Sequence, residues 1–305
     1  MRPGGSPTER PGAEPDSAAI LEELIDSLVY LSVGAGRHVD ELRFSIMSAG
    51  QHLRDDSTWN IVLYTDDAAP FADLPVDVVP VDAATWSDWV GPHGYVWRAK
   101  INVIATALST PGMTRCVYVD GDTYFVRSPD ELFRRVGPGR SVLHTREGWP
   151  PPPEVDALAH VLERHQPTDT AGRPWSFGND RASWNAGVVG LHEDEVDLCE
   201  EVLDLTDQLL AHGFGEYSHT SEQLAFAVCL TARTSVRGCQ DVLVHYWRSD
   251  LREPFAPMLQ ETLADPSLTP QQRFDRLWVH RPRERTAKQA KTAIKRLAWR
   301  VGARI

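Results

Sequence analysis

Short apolar runs recur through the first half of this 305-residue chain, each breaking off into polar residues before a stretch of helical spacing begins. Leu28-Val29-Tyr30-Leu31, Ile61-Val62-Leu63-Tyr64, Val76-Asp77-Val78-Val79 and Val117-Tyr118-Val119 read as strands. The segments from about Asp40 to Leu53 and from Tyr95 to Leu108 read as helices. Strands alternating with helices predict an α/β fold, with a mostly parallel central sheet covered on both faces. In such sheets ligands bind beyond the carboxyl ends of the strands. Polar clusters stand there: Ser32-Val33-Gly34-Ala35-Gly36, Thr65-Asp66-Asp67 and Asp120-Gly121-Asp122. Three strand ends brought to one rim weigh more than any single motif.

The second half is less regular. Asp130 to Val136 reads as a short helix and Ser141-Val142-Leu143 as a strand. Gly148-Trp149 and the four prolines after it form a stiff loop, because proline fixes φ. Glu195 to His212 has helical spacing, with Leu198, Val202, Leu205 and Leu209 on one face. Ser221 to Leu230 is a second helix, capped by Ser221, and Val242-Leu243-Val244 is a last strand ending at His245. Residues 1–17 have four prolines, three glycines and almost nothing to bury, so disorder is expected there. The expected organisation is one domain over 18–255, in halves of about 18–126 and 127–255, then a helical extension over 256–305.

The net charge of −12 argues against a nucleic-acid binder, which would show a basic surface. From His280 to Ile305, however, nine Lys/Arg and one acid give a local +8, so the rest carries −20. Ala290, Ile294, Leu297, Val301 and Ile305 form a helical apolar stripe flanked by Lys291, Lys295, Arg296 and Arg300. Such a basic amphipathic helix, within about 284–305, predicts either peripheral attachment to an anionic inner membrane face or packing on the acidic domain. Cys116, Cys199, Cys229 and Cys239 fit no zinc spacing and read as buried reduced thiols, which suits the cytosol. No apolar run approaches the roughly 18 residues of a membrane span, and the N-terminus has no apolar secretory segment.

The chemistry centres on Asp120-Gly121-Asp122. Carboxylates at a strand end are costly unless something cationic pairs with them. A D-x-D pair suits a hard divalent cation that keeps positions open for phosphate oxygens. Strand alternation would turn Asp120 and Asp122 to one face, with Gly121 allowing close backbone approach to a ligand. His245, also at the end of an apolar strand, is the candidate third ligand, and its imidazole shifts the preference from magnesium toward manganese.

The order of motifs resembles a metal-dependent glycosyltransferase of the GT-A fold: Val117-Tyr118-Val119-Asp120-Gly121-Asp122, then Trp184-Asn185-Ala186-Gly187-Val188, then Glu222-Gln223, then His245. It is most similar to the glycogenin-like and lipopolysaccharide galactosyltransferase-like families, over about residues 26–250. The resemblance implies a nucleotide-sugar donor, a UDP-sugar first, and a carbohydrate, lipid-linked or small-molecule acceptor. It places Asp120, Asp122 and His245 at a manganese or magnesium ion, with Asp120 also toward the ribose. It sets Asn185, Ala186 and Gly187 around the donor sugar and Glu222 and Gln223 on its hydroxyls. Leu31, Ser32 and Val33 would hold the nucleobase and ribose, and Arg98 and Lys100 the diphosphate. Two departures bear on stereochemistry. Glu222-Gln223 replaces the family's Asp-Gln, and the glycine-and-lysine motif after the metal histidine is absent. Arg248 is the candidate to supply the missing charge, and retention and inversion both stay open.

Three other readings compete. Asp120-Gly121-Asp122-Thr123 also matches the D-x-D-x-T loop of haloacid-dehalogenase-like phosphatases, which normally follows the first strand of its domain, whereas here at least three strands precede it. A non-catalytic sugar-binding protein would not need both aspartates. Sugar-nucleotide pyrophosphorylases usually open with a longer glycine-rich, arginine-bearing signature. Ser32 to Gly36 lacks both G-x-G-x-x-G and a Walker ending, and reads as a strand-to-helix turn. Trp149 and Trp175 lie where the resemblance puts the acceptor side, although tryptophan more often serves packing.

Overall fold

The structure is a computed structural model that describes residues 25–148, 154–177 and 183–283. The expectations for residues 1–17, for Trp149 and the proline run, and for the basic amphipathic helix lie outside the described residues. The elements run β1 (Ile25–Ser32), α1 (Arg37–Gly50), β2 (Trp59–Thr65), β3 (Asp77–Pro80), α2 (Ala83–Val90), α3 (Arg98–Leu108), β4 (Met113–Val119), β5 (Thr123–Phe125) and α4 (Asp130–Phe133). There follow β6 (Arg140–Gly148), α5 (Glu154–Leu162), β7 (Ser183–His192), α6 (Asp197–Ala211), α7 (Ser221–Arg233), β8 (Ser235–Gly238), β9 (Leu243–His245), α8 (Ser249–Ala264) and α9 (Pro270–His280).

The central sheet has seven strands in the order β3-β2-β1-β4-β7-β6-β8. Its strands pair in parallel except β7, which runs antiparallel to both neighbours. This is the mostly parallel, helix-flanked α/β sheet that the alternation predicts, and it is consistent with the GT-A resemblance. Strand periodicity distributes the side chains. Leu28, Tyr30, Val117 and Val119 join one core under α1, whereas Val29, Cys116 and Tyr118 join the other with α3, α6 and α7. Burial on both faces explains why these strands read as continuous apolar runs.

Several local expectations are revised. The segment from Tyr95 to Leu108 is helical only from Arg98, because Gly91 and Gly94 adopt positive φ and end α2 in an open loop. Ser221 is the first helical residue of α7 and does not cap it; Thr220 holds the cap position without a side-chain cap bond. His245 belongs to β9 rather than following it. β5 leaves the main sheet and pairs antiparallel with β9 in a separate ribbon.

A third apolar cluster binds the C-terminal helices to the domain. Phe44 and Met47 of α1, Tyr124 of β5 and Tyr246 pack with Phe255, Leu259 and Leu263 of α8 and Phe274 and Leu277 of α9. Helix α8 therefore runs across the expected 255/256 boundary and presents its first turn to α1. All four cysteines are buried, and none is in a disulfide. Among the described residues no helix is long and apolar enough to cross a membrane.

Candidate metal centre

Two pairings assemble the centre. The antiparallel register of β4 against β7 sets Val119 opposite Val188, and the Asp120 amide then donates to the Gly187 carbonyl at 2.8 Å. The β5–β9 ribbon sets Thr123 opposite His245, so the histidine faces the residue next to Asp122. Ligand atoms of Asp120, Asp122 and His245 all lie within 4.8 Å of one another. The two carboxylates do not converge through strand alternation. Residues 120–122 form a bend between β4 and β5, closed by the Thr123 hydroxyl donating to the Asp120 carbonyl at 2.9 Å.

The histidine is held in a metal-binding tautomer. The Asn185 carboxamide oxygen accepts the Gly187 amide at 3.0 Å and lies 2.8 Å from His245 Nδ1. An oxygen that already accepts requires Nδ1 to be the donor, which leaves Nε2 as the lone-pair nitrogen when the ring is neutral. Nε2 points to Asp122 Oδ1 at 3.1 Å and lies 4.0 Å from Asp120 Oδ2. Two oxygens and one imidazole nitrogen, fixed from behind by an amide, form a donor set that fits a divalent cation.

Without a cation, the ring and Asp122 satisfy each other as an ion pair. Burial raises the Asp122 carboxyl, but His245 and Arg252 outweigh that and bring it down to about 2. Burial lowers His245, but Asp122 and Asp120 outweigh that and hold it above its ordinary value. The pair thus contributes stability that is lost as pH rises through the raised histidine value and as pH falls toward that of Asp122. A proton and a cation compete for the same Nε2, so cation binding strengthens as pH rises.

Gly187 leaves room for the histidine. A Cβ there would sit 2.2 Å from His245 Nδ1, so the close approach is by the imidazole. Gly121 likewise faces the α1 backbone at Leu42, where a Cβ would meet Leu42 atoms at 3.3 and 3.4 Å. Lys100 is buried; its ammonium lies 3.1 Å from Asp120 Oδ1 and 3.7 Å from Glu222 Oε1, and it donates to the Ala186 carbonyl at 3.1 Å. Burial works against the charge, yet Asp120 and Glu222 more than offset it, so Lys100 stays protonated above its ordinary range. Glu222 also receives the Tyr95 hydroxyl. Gln223 accepts the Ala186 amide at 3.1 Å through Oε1. Asn185, Ala186, Glu222 and Gln223 are thus tied into one network behind the cation group.

Arg98 grips Asp207 at 2.8 and 3.0 Å and donates to the Asp88 and Trp89 carbonyls. Arg248 is exposed and pairs with Asp250 at 2.7 Å. Leu31 and Ser32 end β1 and Val33 follows it, on the rim shared with β2 and β4. The glycine turn after them aims the Gly34 amide at the Asp66 carboxylate at 3.0 and 3.1 Å. Trp175 is buried in the core beneath Arg233, 5.3 Å from ring centroid to guanidinium carbon.

Sequence reasoning missed Arg252. Its guanidinium lies 3.5 Å from Asp122 Oδ2 and forms a two-pronged pair with the buried Glu41 of α1. The available signal was a basic residue in the helix after His245. A cleft of about 800 Å³ opens beside His165, Gln208 and His212 and shares no residue with the cation group.

No family model matches the chain. No curated protein matches it either. Among solved structures it is similar to mouse xyloside xylosyltransferase 1 in its apo form, at 16% identity, covering 70% of this chain and 85% of that one with a TM-score of 0.48.

Proposed function

We propose that this chain is a metal-dependent glycosyltransferase that moves a sugar from a nucleotide-diphosphate donor, a uridine donor first, to an acceptor hydroxyl. The observation that carries the reading is the meeting of Asp120, Asp122 and His245 at the carboxyl rim of a mostly parallel sheet, with the Asn185 carboxamide setting the histidine tautomer. Manganese, or magnesium, supplies Lewis-acid neutralisation of the leaving diphosphate when bound. The imidazole in the donor set favours manganese.

The remaining roles belong to the chain's own groups. Leu31, Ser32 and Val33, with the β2 end beside them, border the base and ribose. Asn185, Ala186 and Gly187 line the donor-sugar side, where Gly187 keeps room for His245. Lys100 holds Asp120 and Glu222 in place rather than reaching for phosphate. Arg252 takes the part expected of Arg248: a permanent cation beside Asp122, held extended by its two-pronged pair with Glu41. Glu222 and Gln223 face sugar hydroxyls. The membrane or domain partner of residues 284–305 is a separate proposal from composition alone.

A panel of nucleotide-sugars incubated with the full chain and manganese tests the reading. Slow release of nucleoside diphosphate from one uridine donor is expected, with none when the cation is chelated. Hydrolysis of simple phosphomonoesters in place of nucleotide-sugars would move the chain to the phosphatase class.

A further inference from the structure

We propose that Trp97 and His219, braced from behind by the buried Tyr95, form a rigid aromatic shelf that binds the ring of a carbohydrate acceptor; this rests on the glycosyl-transfer reading above. Trp97 is 43% exposed and its neighbour Val96 46%, so the indole is open to solvent. The Trp97 ring is supported from two sides. Its centroid lies 5.3 Å from that of Tyr95 and 5.7 Å from that of His219, both tilted.

The shelf is braced and wired to the centre. The buried Tyr95 hydroxyl bonds the His219 carbonyl at 2.6 Å and the Glu222 carboxylate, so one hydroxyl joins the two loops that present the rings. Arg98 clamps the loop from below. It donates to the Asp88 and Trp89 carbonyls at 3.0 Å while Asp207 holds its guanidinium. Gly91, at φ 71°, keeps that clamp possible, since a Cβ would meet Arg98 side-chain atoms at 3.0 Å. The arginine expected to bind phosphate thus preorganises the shelf, which lowers the ordering entropy a ligand must overcome.

The chemistry favours a sugar. A pyranose offers one face of C–H groups to an aromatic plane and hydroxyls at its edge. Here an indole is partly open to solvent, with a carboxylate one hydrogen bond beyond the neighbouring phenol. Contacts run from Trp97 through Tyr95, Glu222 and Lys100 to Asp120 and so link the shelf to the cation group. The diphosphate belongs at the cation, so the shelf fits the acceptor.

Calorimetric titration of methyl β-glycosides of glucose, galactose and xylose into the full chain, saturated with UDP and manganese, tests this. At least one glycoside is expected to bind. Trp97→Ala should weaken it about tenfold and Trp97→Phe less than about threefold, with UDP affinity unchanged in both. Equal glycoside affinity in wild type and Trp97→Ala overturns the shelf, as does UDP binding without any glycoside binding. Absence of UDP binding overturns the glycosyl-transfer reading itself, and the shelf with it. If Trp97→Ala does not fold, Trp97→Phe and His219→Ala decide: binding lost with His219→Ala but kept with Trp97→Phe supports the shelf, and any other pattern rejects it.

Discussion

Gly187→Ala is expected to weaken manganese binding by about 100-fold, at the upper end for disrupting the group that orients a metal ligand. The new methyl carbon would stand 2.2 Å from His245 Nδ1 and 2.3 Å from Cε1, far inside van der Waals contact. Backbone relief is limited, because the Gly187 amide is tied to Asn185 and its carbonyl to the Asp120 amide. The imidazole must therefore swing away, breaking its bond to Asn185 and carrying Nε2 away from Asp122. Forcing one carbon into this packing is expected to destabilise the fold by about 1–3 kcal/mol. Isothermal titration with manganese measures the first effect and urea denaturation the second. Wild-type manganese affinity in this variant would show that His245 is not a ligand.

Lys100→Met is expected to destabilise the protein by about 3–5 kcal/mol, the usual consequence of removing one partner from a buried ionic group. Lys100 is 3% exposed and stands between Asp120 and Glu222, which would lose the cation they share. Methionine matches the stem but supplies no charge and leaves the Ala186 carbonyl without its donor. Part of the loss should be recovered when manganese is added, because a cation at Asp120 replaces some of the missing charge. A change below about 1 kcal/mol in urea denaturation would mean that the two carboxylates do not depend on Lys100.

What the sequence made legible divides along contact range. The strand cores of β1, β2 and β4 and the rim positions were readable because period and polarity are local properties. The Asp120, Asp122 and His245 group was readable because each of its segments is a strand end with an abrupt change to polar residues. The means of assembly was not. Asp120 and Asp122 converge through a bend that starts the β5–β9 ribbon, and the Thr123–His245 register depends on a chain return of more than a hundred residues. Arg252 reaches Asp122 only because Phe255 and Leu259 seat α8 against Phe44 of α1, bringing Glu41 and Arg252 together across 211 positions. Arg98 looked like a phosphate ligand by its place before β4. Its engagement by Asp207 depends on how α6 packs against α3, which no local pattern encodes.

Asp120, Asp122 and His245 are expected to hold a divalent cation that carries a nucleoside diphosphate. Calorimetric titration of UDP into the full chain, with manganese and after chelation, tests it most directly when run beside Asp122→Asn. The expected result is saturable UDP binding that requires manganese and is lost in the variant. UDP binding of equal strength with and without manganese, unchanged by Asp122→Asn, would contradict it.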